Sequence, residues 1–297
     1  MTSSSLRERW RRSPGPPTEL KPLPPVILMG MHRSGTTLVA TLLGQAGLFT
    51  GSSKEHNAES TFFIGLNNWL LAQGGCRWDE PERWEERVAD PELRRIMVEQ
   101  MRHLMKVRPV MEFVGREAFK RGIQPFKLER PWGWKDPRNT ITLPVWLEVF
   151  PEARVVCVER HGLDVAASLH RRSRAELNKW PGDVDQLPGT LVTDSARCLT
   201  MHGAFDMWVS YMAAARRQAE RLGARLLTVR YETLMEQPAP QLRALADFCG
   251  LKVSDAALAG MVASMKPERA YAFRQGGDMD WVDDAVRASL AAYGYAA

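Results

Sequence analysis

The segment Gly30–Thr37 reads GMHRSGTT. Two glycines five residues apart, followed by two hydroxyl side chains, suit a loop that closes its backbone around an anion. Glycine lets the main chain approach such a ligand, and the hydroxyls of Thr36 and Thr37 are donors for phosphate oxygens. The pattern is the phosphate-binding loop G-x-x-x-x-G-K-[ST] with one part changed: Thr36 stands where that motif has lysine. In ATPases and GTPases the lysine reaches the β- and γ-phosphates, beside a Ser or Thr that holds Mg²⁺. Without it, and with no clear acidic magnesium ligand closing a strand, polyphosphate cleavage is the less expected chemistry. The cation has moved to Arg33, in the middle of the loop. From there it can reach a group attached to a single 5′-phosphate.

The elements that position this loop are legible from the pattern. The apolar run Val26–Met29, ending at Gly30, reads as a buried parallel strand. After the loop, Leu38, Leu42 and Leu43 share one helical face, and Gly44 or Gly47 ends the helix. Residues 51–59 are polar and loop-like, and helical spacing returns at Phe62, Phe63, Leu66, Trp69 and Leu70. A further helix is expected around Leu93, Ile96, Met97, Met101, Leu104 and Met105. Lys135-Asp136 should close a short strand, with a helix over Leu143–Val149, and Arg154–Val158 should form a buried strand that delivers Arg160. A helix follows from Leu163, residues 173–200 read as loop, and a long helix precedes a third buried strand ending near Arg230-Tyr231. Residues 241–292 are mainly helical, with a loop near Lys266–Asp280. Strands alternating with helices predict an α/β fold: a doubly wound parallel sheet with flanking helices, in a single domain spanning 24–297. Residues 1–23 read as a disordered, Pro-rich tail.

Composition narrows the function. The 297 residues are 44% hydrophobic and 25% charged, with a net charge of +5. That balance suits an anionic ligand, and no interleaving of basic and aromatic residues favours nucleic acid. The four cysteines are dispersed with no C-x-x-C pair, so neither a disulfide framework nor a zinc site is expected. No apolar run is long enough to cross a bilayer, and the basic N-terminal residues lack the apolar stretch of a signal peptide. A cytoplasmic location is the expectation.

Three segments together carry a family resemblance. PVILMGMHRSGTTLVATLL resembles the 5′-phosphosulfate segment of sulfotransferases that use 3′-phosphoadenosine 5′-phosphosulfate (PAPS). VVCVERHGLDVAASL resembles their 3′-phosphate segment, and LLTVRYETLMEQPAPQLRALADFCGL their next core strand with its Tyr-Glu and following helix. The order is the family's, and the likeness covers roughly 24–250. The Arg33 loop and WKDP at 134–137 are more similar to the tyrosylprotein and bacterial branches than to the cytosolic small-molecule branch, which has lysine at position 33. The resemblance implies a P-loop-like fold and PAPS as co-substrate, with no metal. It implies that Arg33, Ser34, Gly35, Thr36 and Thr37 hold the 5′ end, and that Arg160 and Ser168 grip the 3′-phosphate. Tyr231 would lie near adenine, and Lys135 beside the transferring group. The general base would come from Glu55, His56 or Glu59, with Glu55 first by analogy to the tyrosylprotein branch. His161 and Asp164 suit that role less, because their segment binds nucleotide.

Plainer roles are open to each residue. Lys135 can be an ion-pair partner of Asp136, Arg160 a surface residue, and the candidate bases solvated loop residues. Trp78, Trp132 and Trp134 are candidates for the wall of an apolar acceptor cleft, with core packing the plainer expectation. Two other functions also stand: an unusual P-loop kinase or NTPase, and a non-catalytic nucleotide-binding protein on the same fold. The missing lysine counts against the first, and the retention of Arg33 with Lys135 against the second. The acceptor is open among small molecules, glycans, lipids and peptides.

Overall fold

The computed structural model describes residues 22–177, 195–275 and 279–296. The N-terminal tail, except its last two residues, and the prolines and glycines at 181–189 lie outside the described residues. In chain order the elements are β1 (Val26–Gly30), α1 (Thr36–Gln45), α2 (Thr61–Gln73), α3 (Trp84–Ala89) and α4 (Pro91–Leu104). Two short helices, α5 (Met111–Val114) and α6 (Arg116–Lys120), lead to β2 (Gly133–Lys135), α7 (Asn139–Val149) and β3 (Arg154–Glu159). Then come α8 (Gly162–Leu177), α9 (Met201–Leu222), β4 (Leu226–Arg230) and α10 (Tyr231–Glu236). The helices α11 (Pro238–Phe248), α12 (Asp255–Ala263) and α13 (Asp284–Ala292) complete the order.

The four strands form one parallel sheet in the order β2-β1-β3-β4. β1 is buried along its whole length because it has a strand on each side and helices over both faces. Ile27 and Met29 enter one apolar cluster, Val26 and Leu28 the other. That two-sided burial explains why β1 reads as an unbroken apolar run. From β1 the chain winds out to β2 on one side, then crosses to β3 on the other. The crevice of such a sheet therefore opens between the carboxyl ends of β1 and β3.

Three expectations are corrected. β4 is an edge strand rather than a buried one: only Val229 is fully covered, since β3 flanks it on one side alone. Ile96 is 47% exposed, because the inward stripe of α4 runs through Met97, Met101 and Met105 and Ile96 sits off its edge. The expected loop at 173–200 is helical up to Leu177 and contains a short 3-10 turn at Ala196–Leu199.

The helix expected at Leu143 begins four residues earlier, at Asn139. Polar side chains hid this start, and all of them are used internally. Asn139 Nδ2 donates to Leu28 O (2.9 Å), and Thr140 Oγ1 accepts from the amide of Gly30 (2.9 Å). At the centre is Asn67, fully buried on α2. Its Nδ2 donates to Asp136 Oδ2 and Asn139 Oδ1 (both 2.9 Å), and its Oδ1 accepts from Thr142 Oγ1 and Trp146 Nε1 (both 2.8 Å). Above this network Trp134 stacks on Phe63 at 3.9 Å, the two rings nearly parallel. Trp132 and Trp134 are wholly buried, so they are core and not cleft wall. All four cysteines are buried as free thiols.

Replacing Asn67 by alanine strands the buried Trp146 N–H and cuts three further bonds. Urea unfolding should show a loss of about 3 kcal/mol; a loss below about 1 kcal/mol would mean that water readily replaces the network.

Candidate functional site

Each of the four strands delivers a residue to one cleft at its carboxyl end. β1 supplies the glycine loop, β2 Lys135, β3 Arg160 and β4 Tyr231, around a cavity of about 500 Å³. The loop's turns need unusual backbone: Gly30 has φ 140°, Gly35 φ 98°, and Arg33, a non-glycine, φ 68°. A left-handed arginine costs about 1–2 kcal/mol, which the surrounding packing must supply. At Gly30 a Cβ would lie 2.3 Å from Val158 O, and at Gly35 2.4 Å from the Tyr231 ring. Both positions are therefore closed to side chains. Gly35 is also the N-cap of α1 and makes no side-chain capping bond. The first-turn amides of Gly35, Thr36, Thr37 and Leu38, residues that line the cleft, have no intrahelical acceptor and carry the positive end of the helix dipole. Ser34 behaves differently. It is buried, donates its hydroxyl to Met31 O (2.7 Å), and fixes the turn without lining the cleft.

Lys135 is almost fully buried. Its Nζ donates to Glu59 Oε1 (2.6 Å), Asn57 O (3.1 Å) and Thr37 Oγ1 (3.3 Å). Its partner is thus Glu59 and not the adjacent Asp136, which instead takes Arg138 in a two-pronged ion pair. Glu55 and His56 are exposed. The backbone of Glu55 makes the turn that presents its neighbour: Glu55 N donates to Glu59 O, and Ala58 N to Glu55 O. Of the three candidate bases only Glu59 lines the cleft.

Arg33 Nε donates to Ser168 Oγ at 3.0 Å. Arg160 lies 4.5 Å over the Tyr231 ring, and its Nη1 reaches Arg33 O (3.4 Å). Its Nε and Nη2 both contact Asp164 Oδ2 (3.3 and 2.9 Å), so that edge is not open for a bidentate phosphate contact. Tyr231 therefore packs against both Gly35 and Arg160 while lining the cleft.

Four cleft residues were not legible in the sequence: His32, Arg172, Lys266 and Arg269. With Arg33, Lys135 and Arg160 the cations on the cleft number six, against the single carboxylate of Glu59 among the described lining residues. The crowding adds to the effect of burial on the groups it surrounds. Burial lowers the pKa of Arg33, and Arg172, Arg160, Arg269 and Arg171 push it further down. Burial, then Arg138, Lys135, Arg172 and Arg33, hold His32 well below the usual imidazole range. Its ring lies 4.7 Å from Trp78 and its buried Nε2 has no hydrogen-bond partner.

Comparison with known proteins bears on the family and the fold. The sequence profile of the sulfotransferase family matches residues 24–255. An uncharacterized protein of Aquifex aeolicus (strain VF5) is 25% identical over 240 residues, 79% of this chain, and the chain spans 26% of that relative's length. Two solved structures share the fold. The sulfotransferase domain of the Synechococcus PCC 7002 olefin synthase aligns at TM-score 0.54 and 17% identity, over 93% of this chain and 96% of that one. The sulfotransferase domain from the curacin biosynthetic pathway aligns at 0.55 and 14%, over 92% and 98%.

The two depressed histidines, His32 and His161, set a sign for pH dependence. Unfolded, each takes up a proton near pH 6.5; folded, it does so only at lower pH. Their contribution to stability is complete above pH 6.5 and is lost as pH falls through the folded values. The buried Glu232, raised by its burial, acts in the opposite sense. Unfolding curves of wild type and His32→Asn between pH 7 and 5 isolate the His32 share: the variant should lose less stability on acidification, and parallel curves would contradict the assignment.

Proposed function

The chain belongs to the sulfotransferase family, and on that premise we propose that it transfers a sulfuryl group from PAPS to an acceptor hydroxyl or amine. The observation that carries this reading is the charge of the cleft: six cations and one carboxylate among the described lining residues, around about 500 Å³, at the open N-terminus of α1. Such a site suits a compact polyanion with phosphate on two positions of one ribose. The loop amides with Thr36 and Thr37 would take the 5′-phosphate. Arg160 through Nη1, together with Ser168, would take the 3′-phosphate. Ser168 accepts from Arg33 and keeps its own proton to donate. Arg33, placed where a polyphosphate-cleaving loop has no cation, would face the sulfuryl oxygens.

In the transfer the acceptor oxygen or nitrogen bonds to sulfur as the sulfur–oxygen bond to the 5′-phosphate breaks. Charge builds on the departing oxygen, and fixed cations there lower the barrier most when they are already in place. Lys135 would be such a cation, since Glu59, Asn57 and Thr37 already hold its ammonium. The acceptor's proton must leave, and Glu59 is the base we assign. His32 shares the cleft, but four neighbouring cations oppose the imidazolium that a histidine base would become. A carboxylate needs to take on no positive charge to accept a proton, and Glu59 lines the cleft with its Oε1 2.6 Å from Nζ of Lys135, the cation assigned to the transferring group. The acceptor would enter past residues 51–60, which build the turn bearing Asn57 and Glu59.

Calorimetry with adenosine 3′,5′-bisphosphate tests the donor site. The bisphosphate should bind without magnesium and more tightly than ATP with magnesium, and Arg160→Ala should weaken it at least about tenfold. Labelled-sulfate transfer from PAPS to a panel of acceptor extracts tests the chemistry, with Glu59→Gln expected to cut the rate by about 10²–10⁴. A chain that neither binds the bisphosphate nor labels any acceptor is not the enzyme described.

A further inference from the structure

Asp164 sits in the first turn of α8, one turn beyond Arg160, and is 4% exposed. A carboxylate there is unfavourable for a phosphate at Arg160, because like charges repel. Its contacts give the reason for its presence. Oδ2 accepts from Arg160 Nη2 (2.9 Å) and Nε (3.3 Å) and from the amide of Ala272 (3.3 Å). Oδ1 accepts from the amide of Phe273 (2.8 Å). Arg160 Nη2 also donates to Arg269 O (2.6 Å). One buried carboxylate thus joins the strand-closing guanidinium to a segment some hundred residues away. That segment carries Lys266 and Arg269, two of the six cleft cations.

We propose that Asp164 is a positioning residue for 3′-phosphate recognition. It fixes the Arg160 guanidinium by its Nε–Nη2 edge, which leaves Nη1 for the ligand. It also docks the 269–273 segment so that Arg269 and Lys266 stay on the cleft. The carboxylate's repulsion is offset because two amides and a guanidinium already share its charge. The inference rests on the reading of the donor as a 3′,5′-bisphosphorylated adenosine. A purely structural Asp164 would support every nucleotide alike, whereas a positioning Asp164 serves only ligands with a 3′-phosphate.

The test is a ratio. The affinities of adenosine 3′,5′-bisphosphate and of adenosine 5′-monophosphate are measured for the full chain and for Asp164→Asn. The variant should lose at least about tenfold of its preference for the bisphosphate while monophosphate affinity stays within about twofold. In an Arg160→Ala background the same substitution should cost less than in the unaltered chain, because only the docking of 269–273 is then left to lose. Hydrogen exchange in the unaltered chain gives a readout independent of any variant's folding. The bisphosphate should slow exchange at 269–275, and the monophosphate should not. Equal loss of both nucleotides, an unchanged ratio, or equal protection by both ligands overturns the proposal and leaves the donor assignment standing. Failure of the unaltered chain to bind the bisphosphate overturns both.

Discussion

Like charges gathered at one point repel, and the site is organised around that repulsion. Six cationic side chains meet where the strands end, and Lys135 and Arg160, whose side chains are largely buried, each have a local counter-charge. Glu59 answers Lys135 and Asp164 answers Arg160, while Asp136 answers Arg138 nearby. Each pair is local and holds its cation in one orientation. The charge in excess of these pairs suits an anion, and after burial it is the neighbouring arginines that lower the pKa of Arg33. A cleft of this kind does not need to fold around its ligand; the work of bringing like charges together is done when the chain folds.

The scaffold that performs this work is polar as well as apolar. β2 is three residues long and hydrogen-bonds to β1 alone in the sheet. A strand that short has little intrinsic stability. It is held by the Trp134–Phe63 stack and by Asn67, whose four hydrogen bonds link α2 to the turn after β2 and to α7. The same turn contains the Asp136–Arg138 pair. Lys135 is therefore fixed from below by packing and from above by Glu59, Asn57 and Thr37, and its ammonium has little room to wander. Thr140 performs a similar task for the loop by taking the Gly30 amide, which anchors the point where β1 turns toward the cleft.

Much of this was legible in the sequence because it is written locally. The Gly30–Gly35 spacing, the apolar run before it and the helix after it lie within one segment, and the strand-closing positions of Lys135, Arg160 and Tyr231 follow from short runs around each. The sheet and its parallel winding were readable for the same reason. What escaped is non-local. Lys266 and Arg269 belong to a segment without periodicity and reach the cleft only through the bonds to Asp164 and Arg160. Glu55 and Glu59 flank one tight turn, and nothing in their spacing says which faces inward; the positive φ of Ala58 does. Asn67 is the lone polar side chain among the buried residues of α2. Its role becomes visible only with Asn139 and Thr142, more than seventy residues on. Ile96 and β4 misled for the converse reason: apolar composition records a capacity for burial, and neighbours decide whether it is used.

The concealed thiols of the fold have a practical corollary. Cys76, Cys157, Cys198 and Cys249 are all covered, and burial raises the pKa of each, with Cys249 pushed up to about 12. Only the thiolate reacts with an alkylating reagent, so burial should make the native chain slow to react with such reagents at neutral pH. Capture of a thiol then records a transient opening, and because Cys157 lies on the central strand β3 while Cys249 follows α11, their separate rates time the exposure of two different parts of the sheet's surroundings.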